Sequence, residues 1–209
     1  MRSGSGNPTQ RLRRLLSGSQ ADAVRWPNDN DWKAAWLGRD QYKNNRQPRL
    51  RYMLEAIEHQ KRAGDGEIVG IRSNLTIEHI MPQKWRENWP VPGFDHIPLG
   101  ELNTDQISRE WLREQAINKL GNLTLLTHKL NAKVSNGMFA IKLPAVRAHT
   151  ALTLNRELQN YEEWNEETIR QRGEGLFHTA LEIWRSPMSL DEITAFDATV
   201  GSGQSVVSI

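Results

Sequence analysis

The sequence contains no cysteine among its 209 residues. This absence excludes disulfide bonds, thiol nucleophiles and every zinc site that uses cysteine ligands. Any metal ion must be held by histidine, asparagine or carboxylate side chains, and a site rich in carboxylate and amide oxygens favours a hard divalent cation. The chain also lacks a run of the roughly 20 apolar residues that a membrane helix needs. It shows no secretory signal segment, so we expect a cytoplasmic protein with no membrane partner.

The chain as a whole has no large excess of either charge, since it carries 27 basic and 25 acidic side chains. This balance argues against a strongly basic nucleic-acid binder. The charges are unevenly placed, because residues 1–72 carry 14 basic and 8 acidic side chains, residues 73–149 carry 9 and 7, and residues 150–209 carry 4 and 10. The gradient predicts a basic face for a polyanion and an acidic end that faces elsewhere, although charges that merely solvate helices would give the same counts.

Apolar spacing predicts a chain that is mostly helical. Leu50, Met53, Leu54 and Ile57 follow the i, i+3, i+4, i+7 spacing of one helix face and predict a helix over residues 48–61. Similar reasoning, with turn and capping signals, predicts helices at residues 8–16, around Trp32 and Trp36, and at 104–120, 127–135, 138–148 and 165–184.

Two short apolar segments, residues 73–80 and 122–126, are rich in residues that favour strands. The prediction is therefore a predominantly α-helical α+β fold around a small two-stranded element. Residues 1–6 read as a linker or tag remnant, residues 7–193 as a single domain with its central motif at about 74–136, and residues 194–209 as a flexible tail.

The chemically informative residues lie in the two predicted strands and the helix that follows them. The first strand ends in TIEHIMPQ, which contains Glu78 and His79; the second begins within LGNLTLL, which contains Asn122; and Asn131 lies nine residues later on the helix. This order and spacing resemble the HNH, or ββα-metal, nuclease motif. The wider pattern, with Lys142 downstream, resembles the C-terminal nuclease domain of GmrSD-type restriction enzymes, a group that includes the Ssp phosphorothioate-sensing defence effector.

The resemblance implies a DNA endonuclease or nickase domain of a bacterial anti-phage restriction system. It also implies double-stranded DNA as substrate and, in the parent protein, an N-terminal nucleotide-hydrolysing sensor domain. In the family, the Asn122 position supports the catalytic histidine and is not a metal ligand. The usual family acid is aspartate, whereas this chain has Glu78.

The chemistry of phosphodiester hydrolysis gives the same residues definite roles. An imidazole with an ordinary pKa near ~6.5 suits a general base at neutral pH, and we predict that His79 has this role. A carboxylate and an amide oxygen suit Mg²⁺ or Mn²⁺, and we predict Glu78 and Asn131 as the metal ligands. Asn122 is predicted to hold the loop between the strands and to orient His79. Lys133 is a candidate for phosphate contact.

Each of these residues also has a simpler interpretation. A strand histidine is often structural, and Asn122 after Gly121 could be only a turn residue. Adjacent strand residues point to opposite faces, so Glu78 and His79 can share one centre only if the backbone bends there. Arg49 and Arg51 are candidates to contact the DNA backbone, but a solvated helix face would contain them equally well.

Three functions remain open from the residues alone. The first is a metal-dependent DNA endonuclease, the second a non-catalytic nucleic-acid-binding or interaction module on the same scaffold, and the third an RNA-directed nuclease. The resemblance favours DNA. Trp85 and Trp89, which directly follow the motif, are candidates for stacking on bases, although tryptophan side chains more often fill a core.

Overall fold

The computed structural model describes residues 27–63, 75–93, 99–134, 138–149 and 151–185. The predicted linker at residues 1–6, the predicted basic helix at residues 8–16 and the predicted tail at residues 194–209 lie outside these described residues. The chain divides into two units. One unit, Lys33–Ile183, contains both strands and the whole candidate site. The other contributes only residues 27–32 and 184–185 to the described chain.

Helices make up most of the described chain. They are α1 (Asp29–Gly38), α2 (Gln41–Asn44), α3 (Gln47–Ala63), α4 (Trp85–Asn88), α5 (Thr104–Ile117), α6 (His128–Val134), α7 (Phe139–His149), α8 (Thr153–Arg156) and α9 (Glu166–Ile183), with short 3₁₀ turns at Leu99–Glu101, Leu120–Asn122 and Glu157–Asn160. The two strands are β1 (Leu75–His79) and β2 (Leu123–Thr127). The predicted helical α+β class is therefore confirmed.

The sheet is a single antiparallel pair. Leu75 lies opposite Thr127, and His79 lies opposite Leu123, with regular pairing between them. Helix α6 begins directly after β2, which confirms the predicted order of strand, long connection, strand and helix. The pairing places the end of β1 next to the start of β2, so residues around positions 79 and 123 lie together.

Helix α3 shows how local sequence produces these elements. Its predicted apolar stripe is buried at Leu50, Leu54 and Ile57. Helix α5 begins with a capping box, in which the Asn103 side chain accepts from the Gln106 backbone N–H and the Gln106 side chain accepts from the Asn103 N–H. These bonds satisfy amide groups that the first helical turn leaves without a partner.

Helix α5 is shorter than its predicted range of residues 104–120, and it exposes three large apolar side chains. The helix ends at Ile117, because the chain turns at Asn118 and enters the 3₁₀ turn at Leu120–Asn122. The apolar residues Ile107, Trp111 and Leu112 are 54%, 60% and 53% exposed. The face turned to the interior instead carries Arg113, Ala116 and Ile117.

The core around the strands combines residues that are far apart in the sequence. Leu123, Leu125 and Leu126 of β2 are buried, as are Met81 after β1 and Ile169 of α9. Four of the five residues of β2, from Leu123 to Leu126, are buried without alternation, so the strand is covered on both of its faces. No helix in the described part of the chain is long and apolar enough to cross a membrane.

Candidate active site

The end of β1 presents two neighbouring polar side chains, Glu78 and His79. Their pairing with β2 is regular, with Glu78 opposite Thr124 and His79 opposite Leu123. Consecutive side chains of a regular strand point to opposite faces. The two side chains accordingly have different partners, Lys142 for Glu78 and Tyr42 and Asn118 for His79. The regular strand lacks the bend that one shared centre would need.

Glu78 is paired with Lys142 of α7. The Lys142 ammonium donates to Glu78 Oε1 at 2.6 Å and to the backbone carbonyl of His79 at 2.8 Å. Burial raises the pKa of Glu78 and lowers the pKa of Lys142, because desolvation disfavours both charged forms, and the ion pair opposes both changes. Lys142 therefore ties the carboxylate to the end of β1.

Asn131 is attached to the same strand. Its Nδ2 donates to Thr76 Oγ1 at 3.0 Å and to the Ile77 carbonyl at 3.3 Å. Thr76 and Glu78 are two residues apart, so they lie on the same face of β1. Both amide hydrogens of Asn131 are used in holding the strand, so its Oδ1 is the atom of this side chain that can act as a ligand.

His79 lies among residues from a different part of the chain. Its Nε2 is 3.1 Å from Asn118 Oδ1, and its ring meets the Tyr42 ring edge-on at 4.3 Å between centroids. Asn118 in turn donates from Nδ2 to Asp40 Oδ2 at 3.2 Å. The imidazole is buried, and this burial lowers its pKa to about 4, so the ring is neutral at pH 7.

Asn122 is fully buried and uses its whole amide. Its Oδ1 accepts from the Met81 N–H at 2.8 Å and from Trp164 Nε1 at 2.9 Å. Its Nδ2 donates to the carbonyls of Met81 and Ile117, each at 2.8 Å. These bonds fix the turn that follows His79. The hydrogen bond of the imidazole itself is with Asn118 and not with Asn122. The predicted orienting role of Asn122 stays a prediction.

The predicted nucleic-acid contacts lie at separate places. Lys133 is part of α6, but its side chain lies outside what the structure describes. Arg49 and Arg51 are exposed on α3, and Arg51 forms an ion pair with Glu55 at 3.2 Å. Exposure is compatible with contact to a DNA backbone, and equally with a solvated face.

Trp85 and Trp89 are buried, with 2% and 8% of their surfaces exposed. The Trp85 indole donates to Glu114 at 3.0 Å, and the Trp89 carbonyl accepts from Arg113. The idea that these rings stack on bases is therefore wrong for this structure. The Trp85 ring lies beside helix α5, and the Trp89 ring meets the Phe139 ring of α7 at 6.0 Å between centroids.

The residues on the Glu78 face suit a hard cation with few protein ligands. Within the described residues, no group of three or more histidine, cysteine or acidic side chains could hold a metal ion. The available donors are the Glu78 carboxylate and Asn131 Oδ1. Mg²⁺ commonly binds through one or two carboxylates and keeps several waters, so these two oxygens are of the donor type that Mg²⁺ takes and not of the type in a structural zinc site. Glu78 Oε1 already accepts from Lys142.

Sequence reasoning missed the partners that hold these groups. Asp40 and Asn118 are 78 residues apart, and Asn118 and His79 are 39 apart, so no local periodicity connects them. Lys142 was noted only as part of the wider pattern. One local signal indicates that Lys142 is buried: it is a single lysine among apolar residues in the middle of a helix.

Comparison with known proteins identifies the family. The family of GmrSD restriction endonucleases, C-terminal domain, matches residues 26–179, which include both strands and all the residues described above. No curated protein and no solved structure matches the chain. The family match covers more than half of the chain. The chain therefore belongs to the family of C-terminal domains of GmrSD restriction endonucleases.

Proposed function

We propose that this chain is a metal-dependent DNA endonuclease domain of the HNH type, with His79 as its general base. The proposal is supported above all by one arrangement: β1 ends in Glu78 followed by His79, whose side chains lie on opposite faces, and Asn131 is bonded to this strand through Thr76, on the Glu78 face. Family membership supports a nuclease of a restriction system. The imidazole is neutral at pH 7 and can accept a proton, but its pKa of about 4 makes it a weaker base than the ordinary imidazole of the prediction.

The reaction of this proposal is the hydrolysis of one phosphodiester bond. His79 accepts a proton from a water molecule, whose oxygen forms a bond to phosphorus. The bond between phosphorus and the 3′ oxygen breaks, and the departing oxygen takes a proton from solvent. The products are a 5′-phosphate and a 3′-hydroxyl. His79 then releases its proton to solvent, which restores the neutral ring.

Glu78 and Asn131 are the proposed ligands of Mg²⁺ or Mn²⁺. When bound, the ion supplies Lewis-acid stabilisation of the phosphate and of the departing oxygen. The Lys142 ammonium already contacts Glu78. Lys142 therefore adds a fixed positive charge beside the carboxylate, in addition to that of the proposed metal ion. Asn131 keeps its two donor bonds to β1 while offering only its oxygen.

The proposed substrate is double-stranded DNA, held through its backbone without reading of sequence. Arg49 and Arg51 of α3, and Lys133 of α6, are the proposed phosphate contacts. In the parent protein, target choice belongs to a nucleotide-hydrolysing sensor domain, and the whole acts in the cytoplasm as an anti-phage restriction system. A single cut in one strand, a nick, is the proposed product.

A non-catalytic binding module remains a second candidate, and one observation favours it. The Glu78 carboxylate is neutralised by Lys142 inside the fold, as it would be in a protein that needs no metal. The two candidates differ in whether covalent cutting occurs.

A plasmid assay tests the proposal. With Mg²⁺ or Mn²⁺, the protein is expected to convert supercoiled plasmid to the open circle, and His79→Ala and Asn131→Ala are expected to stop this conversion. His128→Ala is the matched control, because His128 is exposed at the start of α6. Circular dichroism of each variant checks that it folds. Full cutting by His79→Ala would overturn the assignment.

The same samples distinguish the alternatives. A gel shift without cutting in several metals would favour the binding module. Degradation of RNA with the plasmid left intact would favour an RNA-directed nuclease.

A further inference from the structure

We propose that Asn118 and Asp40 are positioning residues that fix the tautomer of His79, with the proton on Nε2 and the free electron pair on Nδ1. The consequence for catalysis rests on the proposed function of His79. The tautomer itself follows from hydrogen-bond directions and does not depend on whether the chain cuts DNA.

The first step concerns the orientation of the Asn118 amide. An ionised carboxylate can only accept hydrogen bonds. Asp40 Oδ2 lies 3.2 Å from one end of the Asn118 amide, so that end must be the NH₂ group. The other end, 3.1 Å from the imidazole, is therefore the carbonyl oxygen Oδ1. The carboxylate thus decides which way the amide points.

The second step concerns the imidazole. An amide oxygen can only accept, so His79 Nε2 must donate to it. A neutral imidazole carries one ring proton, and placing this proton on Nε2 leaves Nδ1 as an acceptor. The ring is buried edge-on against Tyr42, with the Asn118 oxygen placed to accept the Nε2 proton.

Capping and backbone hydrogen bonds hold Asp40 and Asn118 in place beside His79. Asp40 caps helix α2, since its Oδ1 accepts from the Lys43 N–H at 2.8 Å. The Asn118 carbonyl accepts from the backbone N–H groups of Gln41 and Tyr42 at 3.0 and 3.2 Å. These bonds join the start of α2 to the end of α5. They also place the Tyr42 ring in edge-on contact with the imidazole.

The chemistry of an amide sets a limit on what this arrangement can do. Asn118 can orient the imidazole and stabilise its charged form through Asp40, but it cannot accept the proton. A proton taken up at Nδ1 must therefore leave from Nδ1. This makes Asn118 and Asp40 positioning residues, with no direct part in proton transfer.

Nitrogen NMR of histidine-labelled protein tests the proposal directly. Imidazole ¹⁵N shifts distinguish the two tautomers, and comparison with His79→Gln assigns the His79 signals among the six histidines. We expect the Nε2–H tautomer in the unaltered chain at pH 7. Asn118→Ala is expected to give a mixture of tautomers. Asp40→Asn is expected to do the same, because it keeps the helix cap and allows the Asn118 amide to turn over.

Asn103→Ala is the control, since Asn103 is exposed and caps the start of α5, at the opposite end of that helix from Asn118. It is expected to leave the His79 signals unchanged. A predominant Nδ1–H tautomer in the unaltered chain would overturn the proposal, and so would an unchanged Nε2–H tautomer in both Asn118→Ala and Asp40→Asn. If Asn118→Ala does not fold, Asp40→Asn alone decides.

Kinetics then separate this inference from the proposed function. If the chain cuts DNA, Asn118→Ala is expected to lower kcat roughly tenfold or more with little change in KM, because a base in the wrong tautomer cannot take up the proton. An unchanged kcat in a variant with mixed tautomers would remove the catalytic consequence. If the unaltered chain does not cut DNA, the proposed function fails, and the NMR result still decides the tautomer.

Discussion

Gly121 lies directly against Ile169, so closely that a Cβ at Gly121 would overlap the Ile169 carbonyl oxygen and stand 2.9 Å from the Gly173 nitrogen. Both obstacles are backbone atoms of α9, which cannot turn aside as a side chain can. Gly121→Ala is therefore expected to destabilise the fold by about 3 kcal/mol or more, in the range of strong overpacking. Urea unfolding followed by circular dichroism measures the loss.

Gly175→Ala is the matched control for that substitution. Gly175 is exposed within the same helix, and a Cβ there would meet nothing within 4 Å. Since alanine favours a helix interior over glycine, this variant is expected to gain roughly 0.5–1 kcal/mol. Equal stability of the two variants would contradict the close approach of Gly121 to α9.

Asn122→Ala is expected to lower the free energy of unfolding by about 3 kcal/mol or more. The substitution leaves the buried backbone groups of Met81 and the indole N–H of Trp164 without their partner, and each such group costs about 1–3 kcal/mol. Asn103→Ala, at an exposed helix cap, is expected to cost only about 1 kcal/mol. Similar losses in the two variants would show that the Asn122 contacts contribute little.

Helix α3, Trp111 and Gly121 show how much of the fold could be predicted from the sequence. Local spacing was sufficient for the helices, because burial of Leu50, Leu54 and Ile57 is a property of one helix face. The exposure of Trp111 was not predictable in the same way, since it depends on which part of the chain covers α5. The position of Gly121 signalled the end of a helix, whereas its contact with α9 is visible only in three dimensions.

Lys142→Met is expected to change how the protein responds to Mg²⁺. Removing the ammonium leaves Glu78 buried without its partner, which costs about 3–5 kcal/mol. If Glu78 is a metal ligand, adding Mg²⁺ stabilises the folded state by binding to it, and the rise in Tm should be larger in Lys142→Met than in the unaltered chain. Glu78→Gln should abolish the rise. A rise of equal size in Glu78→Gln would contradict the metal role of Glu78.

The unfolding free energy is expected to fall as the pH is lowered from about 7 to about 4. The pKa of His79 is about 4 in the folded chain and near ~6.5 when unfolded. Between these values the unfolded chain binds the extra proton, so acid favours unfolding by up to about 3 kcal/mol. Urea titrations at several pH values measure this slope. His79→Gln should flatten it, and an identical slope in both proteins would contradict the burial of the imidazole.

Charge reversal is expected to locate the DNA-binding face. Arg49→Glu with Arg51→Glu should weaken binding to a DNA duplex and reduce its dependence on salt, because fewer counterions are released. Glu167→Lys is the comparison, since Glu167 is exposed at the start of α9. Its ion-pair partner, Arg170, is exposed as well, so the reversal leaves no buried charge unpaired. Weaker binding by Glu167→Lys than by the arginine variant would contradict the predicted face.

The candidate site was predictable only in part, for a physical reason. Glu78, His79 and Asn131 were found because they follow one another at fixed spacings along the two strands and α6. Their supports were not found, because Asp40, Asn118 and Lys142 reach them across long separations in the chain. A side chain that acts on another through space leaves no periodic signal in the sequence.

Trp164 and helix α9 limit how short a working unit of this protein can be. A piece ending at residue 149 would contain both strands, the proposed base and both proposed ligands. It would nevertheless lack the Trp164 indole that bonds Asn122, and the Arg172 guanidinium, which donates to the carbonyls of Gly121 and Leu123. The residues that carry the chemistry and the residues that keep them in place thus occupy different stretches of the chain, and the minimal unit must include both.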